Sequence, residues 1–243
     1  MIVQNNRNGQ LLLITQPDHA ALSARLVSAW DLDSFAPVPS RETVLEAIAE
    51  HDNGWREIDA MPKVNPETSR PYDFMTLPTA VKQAIWPRGV RRLAEMSPSA
   101  AALVARHGLW VHGHRRGDPE WDGFFAEIEA LMEQLLAGQG ALDGAGREAF
   151  ERSYDLLNLA DLFSLVFCNR WTDPMDARGY RVSLDGNTLT ISPDPFRGHT
   201  LTFTLAARAI ADRDYCSDED LQAAWAGATL VTLGGTARGA AMP

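Results

Sequence analysis

The sequence predicts a mainly α-helical fold that opens on a β-hairpin and closes on a small β-rich part. Three observations predict it. Apolar residues recur at helical spacing through most of residues 17–171. The first 16 residues hold two apolar runs around Asn8-Gly9, a strong turn dipeptide. Past residue 172 the character changes, and two short apolar segments flank Asp185-Gly-Asn, a hairpin signature.

Ile2-Val3 and Leu11-Leu-Leu-Ile14 are the expected strands of the first hairpin, residues 1–16. Thr15 or Gln16 caps the helix that follows, with Pro17 in its first turn. On that helix, residues 18–30, His19 shares a face with Leu22, Ser23, Leu26 and Trp30. A Pro-containing loop, 31–39, leads to a helix capped by Ser40, with Glu42 at the positive end of its dipole. Val44, Ala47 and Ile48 lie on the side of His51, and Leu45 and Ile48 on that of Asp52. Gly54 stands where a helix normally stops. Residues 56–78, with Pro62, Pro66, Pro71 and Pro78, read as a long structureless connector, a length that often serves as a lid.

Helical periodicity returns at 79–95, where Pro87 is expected to kink or divide the helix. Ser97-Pro98 starts a short helix ending at His107-Gly108, with His107 on the face of Ala100, Leu103 and Val104. Asp118-Pro119 opens another, whose Phe124, Phe125, Ile128 and Leu131 belong to a broad apolar stripe. Residues 138–146 read as a flexible link, because no GxxxxGK[ST] phosphate loop is present. Residues 147–171 form a helix apolar nearly all round, hence central, with Asp161 inside it. Strands are expected at 180–184, 188–192, 201–205 and 229–233, and a capped helix at 217–226. Residues 1–243 are read as one domain: a hairpin at 1–16, a helical metal-binding core at 17–171, and a β-rich extension at 172–243 packed on it.

Hydrophobic residues at 45% and charged residues at 22% are those of an ordinary globular protein. A net charge of -10 argues against binding a nucleic-acid polymer or an anionic membrane, where a basic face is expected. Two cysteines without a CxxC fit a reducing compartment. The N-terminus lacks the pattern of a secretory signal, and no apolar run approaches a membrane span, so the expected location is cytoplasmic. Composition is silent on oligomeric state.

A carboxylate or imidazole on an apolar face is costly unless it is paired, hydrogen-bonded or bound to a metal. His19, His51-Asp52 and Asp161 all carry this cost, on three separate helices. Imidazoles with carboxylates suit a divalent transition metal such as Mn, Fe, Co, Ni or Zn. His107 is a further candidate ligand, and adding His112 or His114 gives enough donors for two ions. The alternative is a satisfied hydrogen-bond network in the core.

A helix bearing His, a helix ending in His-Asp, and a late helix with Leu-Ala-Asp161-Leu together resemble the HD-domain superfamily. The phrases Gln16-Pro-Asp-His19, His51-Asp-Asn-Gly-Trp55, Asn65-Pro-Glu-Thr-Ser-Arg-Pro-Tyr-Asp-Phe74 and Pro193-Asp-Pro-Phe196 are similar to a bacterial family within that group with no assigned function. The resemblance implies an all-helical bundle with His19, His51, Asp52 and Asp161 as ligands. It also implies a metal-dependent phosphohydrolase. Metal-activated water would attack a phosphoester or another small anionic substrate. Asp52 would orient that water, and Arg56, with Lys63 and Arg70, would neutralise the substrate's charge. A di-iron oxygenase of the same superfamily and a non-catalytic ligand-binding module are the rival readings.

Overall fold

The structure is a computed structural model that describes residues 1–6, 8–31, 40–138 and 144–241. Most of the expected 31–39 loop, Arg7 in the first turn, and residues 139–143 of the expected link lie outside the described residues.

Strands β1 (Ile2–Asn6) and β2 (Gln10–Ile14) form the expected hairpin. Residues 11–14 of β2 are all buried, which calls for cover on both faces and a partner on the free edge. That partner is β8 (Thr200–Ala211), antiparallel, with Leu12 opposite Ala209. The sheet continues through β9 (Thr229–Gly239), β7 (Thr188–Ser192), β6 (Tyr180–Asp185) and β5 (Met175–Ala177), in the order β1-β2-β8-β9-β7-β6-β5. Its neighbours are antiparallel except β7 and β9, which run parallel.

This corrects the expectation of a mainly α, all-helical bundle with a small β part. The two β ends of the chain join in one curled seven-stranded sheet. Two local signals hid its extent. Residues 206–209, Ala-Ala-Arg-Ala, are weak strand formers, yet they continue β8 because residues 229–232 pair with them. Gly234-Gly235 reads as a turn but lies within β9, opposite Thr204 and Phe203.

The helical layer comprises α1 (Gln16–Ser28), α2 (Arg41–Glu50), α4 (Thr79–Ala94), α5 (Pro98–Val111), α6 (Asp122–Ala137) and α7 (Gly144–Cys168). Thr15 and Ser40 cap α1 and α2 through their side-chain oxygens, as their residue types predict. Pro87 sits inside α4 without dividing it. Helix α5 runs past Gly108, which reads as a stop but serves close packing: a Cβ there would lie 2.9 Å from the Trp86 ring. Helix α7 is the central helix expected, and Phe167 near its end meets Phe203 of β8 edge-on at 4.8 Å. One continuous core joins these helices to the inward residues of β6, β7, β8 and β9. On another part of the sheet, Leu11, Leu13, Ile210 and Tyr215 pack with Leu221 of α8 (Asp218–Ala226).

The connector at 56–78 is structured. It holds α3 (Arg56–Ala60) and a hairpin of β3 (Val64–Asn65) with β4 (Arg70–Pro71). Its backbone is tied outward: Phe74 N–H donates to Met1 O, Val64 N–H to Asp218, and Ser69 O accepts from Tyr215 N–H. The predicted structureless lid is thus a pinned hairpin.

Candidate metal centre

Four helices each deliver one or two polar groups to the same place. His19 comes from the first turns of α1, His51 caps the C-terminus of α2 with Asp52 next to it, His107 lies on α5, and Asp161 on α7. All five are buried. The turn after α2 is fixed against α4. Asn53 donates through Nδ2 to Gly89 O, Arg92 donates to Asn53 O, and Arg88 donates to Gly54 O. Gly54 is required there, since a Cβ would stand 2.2 Å from Ile85 O.

Asp161 is the hub. Its Oδ1 lies 2.9 Å from His19 Nε2 and 3.6 Å from His51 Nε2, while Oδ2 lies 3.5 Å from His107 Nε2. Asp52 Oδ2 is 3.3 Å from His51 Nε2 and 3.8 Å from His19 Nε2. Donor atoms roughly 2.1 Å from one ion stand roughly 3.0–3.4 Å apart, and the separations here, 2.9 to 3.8 Å, are near that range. The His19, His51 and Asp161 donor atoms lie within 4.8 Å of one another, and this group can hold a metal ion.

The tautomers agree with that use. His51 Nδ1–H donates to Ile48 O at 2.7 Å, which leaves the buried Nε2 facing the carboxylates, 3.3 Å from Asp52 Oδ2 and 3.6 Å from Asp161 Oδ1. Ser164 gives its one proton to His19 O at 2.9 Å, and its oxygen accepts from His19 Nδ1–H at 2.6 Å. His19 Nε2 is thereby the nitrogen turned to Asp161. An outer hydrogen bond on the far nitrogen is the usual way a metal-binding imidazole is oriented. Ser164, which sequence reasoning missed, was legible: it stands one helical turn after Asp161 on the same buried face.

The electrostatics show what the cluster costs. Burial works against a charged His51, yet Asp52 and Asp161 together hold its pKa well above the ordinary imidazole value. Burial also works against the Asp161 anion, but hydrogen bonds from His107, His19 and His51 hold it well below the ordinary carboxylate range. Nearby, Tyr154 is buried with an unpartnered hydroxyl, its ring 6.1 Å from that of His107 and under the Arg106 guanidinium at 4.3 Å. Burial raises its pKa despite the arginines.

The remaining expected residues go elsewhere. Trp86 Nε1–H donates to His112 Nε2 at 2.9 Å, so that ring nitrogen is taken. Burial, with neighbouring cations, lowers His112 to about 3. His114 is exposed, in a short 3-10 turn. Arg56 donates twice to Glu50, at 2.9 and 2.7 Å. Arg70 pairs with Asp212 and Asp214 beyond β8, and Lys63 is exposed on the pinned hairpin. Charge counting along the sequence cannot see these glutamate and aspartate partners.

Among the described residues, no helix is long and apolar enough to cross a membrane. Neither the curated proteins nor the solved structures yield a match. Residues 1–212 match the family described as "Protein of unknown function (DUF3891)", and no match falls to the HD superfamily. The HD resemblance is therefore corrected on both grounds, sequence match and sheet. The chain belongs to the DUF3891 family.

Proposed function

We propose that this chain is a metal-dependent hydrolase acting on a small anionic substrate, with one divalent ion held by His19, His51 and Asp161. The carrying observation is the pair of orienting hydrogen bonds, from His51 to Ile48 O and from His19 to Ser164, that turn both Nε2 atoms toward Asp161. Those nitrogens face two buried carboxylates, Asp161 and Asp52, gathered at one point, a concentration of negative charge that a cation offsets. A bound transition ion lowers the pKa of a coordinated water toward neutrality and polarises the electrophile. Asp52, beside His51 and the cluster, is placed to orient the water and take its proton. His107 adds an imidazole from the other oxygen of Asp161. A single ion is proposed because His112 has its Nε2 occupied by Trp86.

The test is hydrolysis of 4-nitrophenyl phosphate and its bis ester by protein loaded in turn with Mn, Fe, Co, Ni and Zn. Turnover should depend on the metal and vanish in Asp52→Asn with the metal still bound. Turnover that is indifferent to chelator and to Asp52→Asn would remove the proposal. Two imidazoles and one carboxylate are also the ligand set of non-haem iron oxygenases. Oxygen consumption by the iron-loaded protein, without ester hydrolysis, would reassign the reaction.

A further inference from the structure

A cleft of about 330 Å³ opens beside the metal centre, lined by Trp55, Phe74, Trp86 and Trp121 together with Lys82, His112, His114 and Arg115. One indole separates the two places: Trp86 meets His107 edge-on at 5.6 Å and donates to His112 on its cleft side. The volume is at the lower end for small-molecule sites, enough for about one ring and its substituent.

Three features bear on what fits. The lining contains no carboxylate, in a chain whose net charge is -10. The arginines nearby on α4 and after α5 are engaged in ion pairs: Arg88 and Arg92 share Glu57, Arg91 pairs with Glu127, and Arg116 with Glu129. Among the described residues, Lys82 and Arg115 have no ion pair. The acid near Lys82, Asp73, has both oxygens taken by the backbone N–H groups of Val3 and Met75.

The second feature is the tautomer of His112. A Trp N–H can only donate, so His112 Nε2 accepts and its proton sits on Nδ1, a neutral donor in the cleft wall. The third is the aromatic wall: Trp55 and Trp121, both largely buried, line the cleft with their rings beside Trp86.

We propose that this cleft is a binding site for a single-ring organic anion, its ring held among the tryptophans and its charge by Lys82 and Arg115. The site stands independently of the metal reading, because none of its lining residues is a proposed metal ligand. Cation and ring recognition act together: Arg115 already lies over the Trp121 ring at 6.0 Å.

The experiment is calorimetric titration of the full chain with phenyl phosphate, with inorganic phosphate and phenol as controls, before and after chelator treatment. Phenyl phosphate should bind the chelator-stripped protein at least about tenfold more tightly than either control. Arg115→Ala and Lys82→Ala, both outside the metal cluster, should each weaken it about tenfold while leaving the thermal midpoint in place. The indole N–H resonances of Trp55 and Trp121 should shift on binding. Inorganic phosphate binding as tightly as phenyl phosphate would overturn the aromatic part. Binding that disappears with chelator, or that ignores both cation variants, would overturn the site.

Discussion

His107 and His112 belong to one helix and its cap, both are buried, and they do opposite things. His107 turns Nε2 to Asp161 and joins a cluster of imidazoles and carboxylates. His112 has its Nε2 capped by the Trp86 indole and its ring against Trp121 at 4.6 Å. Trp86 thus divides two regions of contrasting chemistry. On one side, carboxylates gather imidazole nitrogens. On the other, cations and indole donors gather with no acid among them. Burial alone does not set what a histidine does; here the partner of its Nε2 does.

The division can be broken most sharply by exchanging the histidine that is removed. His19→Ala should abolish stoichiometric metal retention, whereas His112→Ala should keep it, as read by metal content after gel filtration. Equal loss in both variants would erase the distinction between the regions. Ser164→Ala should weaken metal affinity about 10- to 100-fold by freeing the His19 ring to rotate, with the ligand atoms all present. An unchanged affinity would mean that the hydroxyl orients nothing.

Proton competition sharpens the same contrast. His51 has a folded pKa above its unfolded 6.5, so its contribution to the stability of chelator-stripped protein is full below that value and fades as pH rises through the folded pKa. Asp161 works in the other sense. Its contribution is present above 3.8 and is lost as pH falls through its lower folded pKa. A metal replaces the His51 proton, so the rise in thermal midpoint on adding metal should be larger at about pH 8 than at about pH 6. A midpoint shift independent of pH would show that His51 is not displaced from its proton. The smallest effect is on the dividing wall. Trp86→Phe removes one buried hydrogen bond and should cost about 1 kcal/mol in denaturant unfolding, with metal affinity unchanged. Loss of metal in that variant would make the wall part of the centre.

Much of the centre was legible in the sequence because helical period fixes direction. His19, His51, Asp52, His107 and Asp161 all stand on apolar faces, and those faces do converge. What was not legible is set by partners distant along the chain. Nothing near His112 announces that Trp86 of α4 will take its Nε2. Arg56 looks like a substrate cation until Glu50 claims it. The sheet failed for the same reason: each hairpin could be read locally, but the pairing of β2 with β8 joins the two ends of the chain. Side-chain alternation says which face is buried, not which edge finds a partner.

The central claim is that His19, His51 and Asp161 bind a metal. The direct measurement is a calorimetric titration of chelator-stripped protein with Zn and Mn, repeated on Asp161→Asn. We predict binding of about one equivalent with proton release in the wild type, and no binding in Asp161→Asn with its helical signal retained. Failure of the wild type to bind either ion, or undiminished binding in Asp161→Asn, would contradict it.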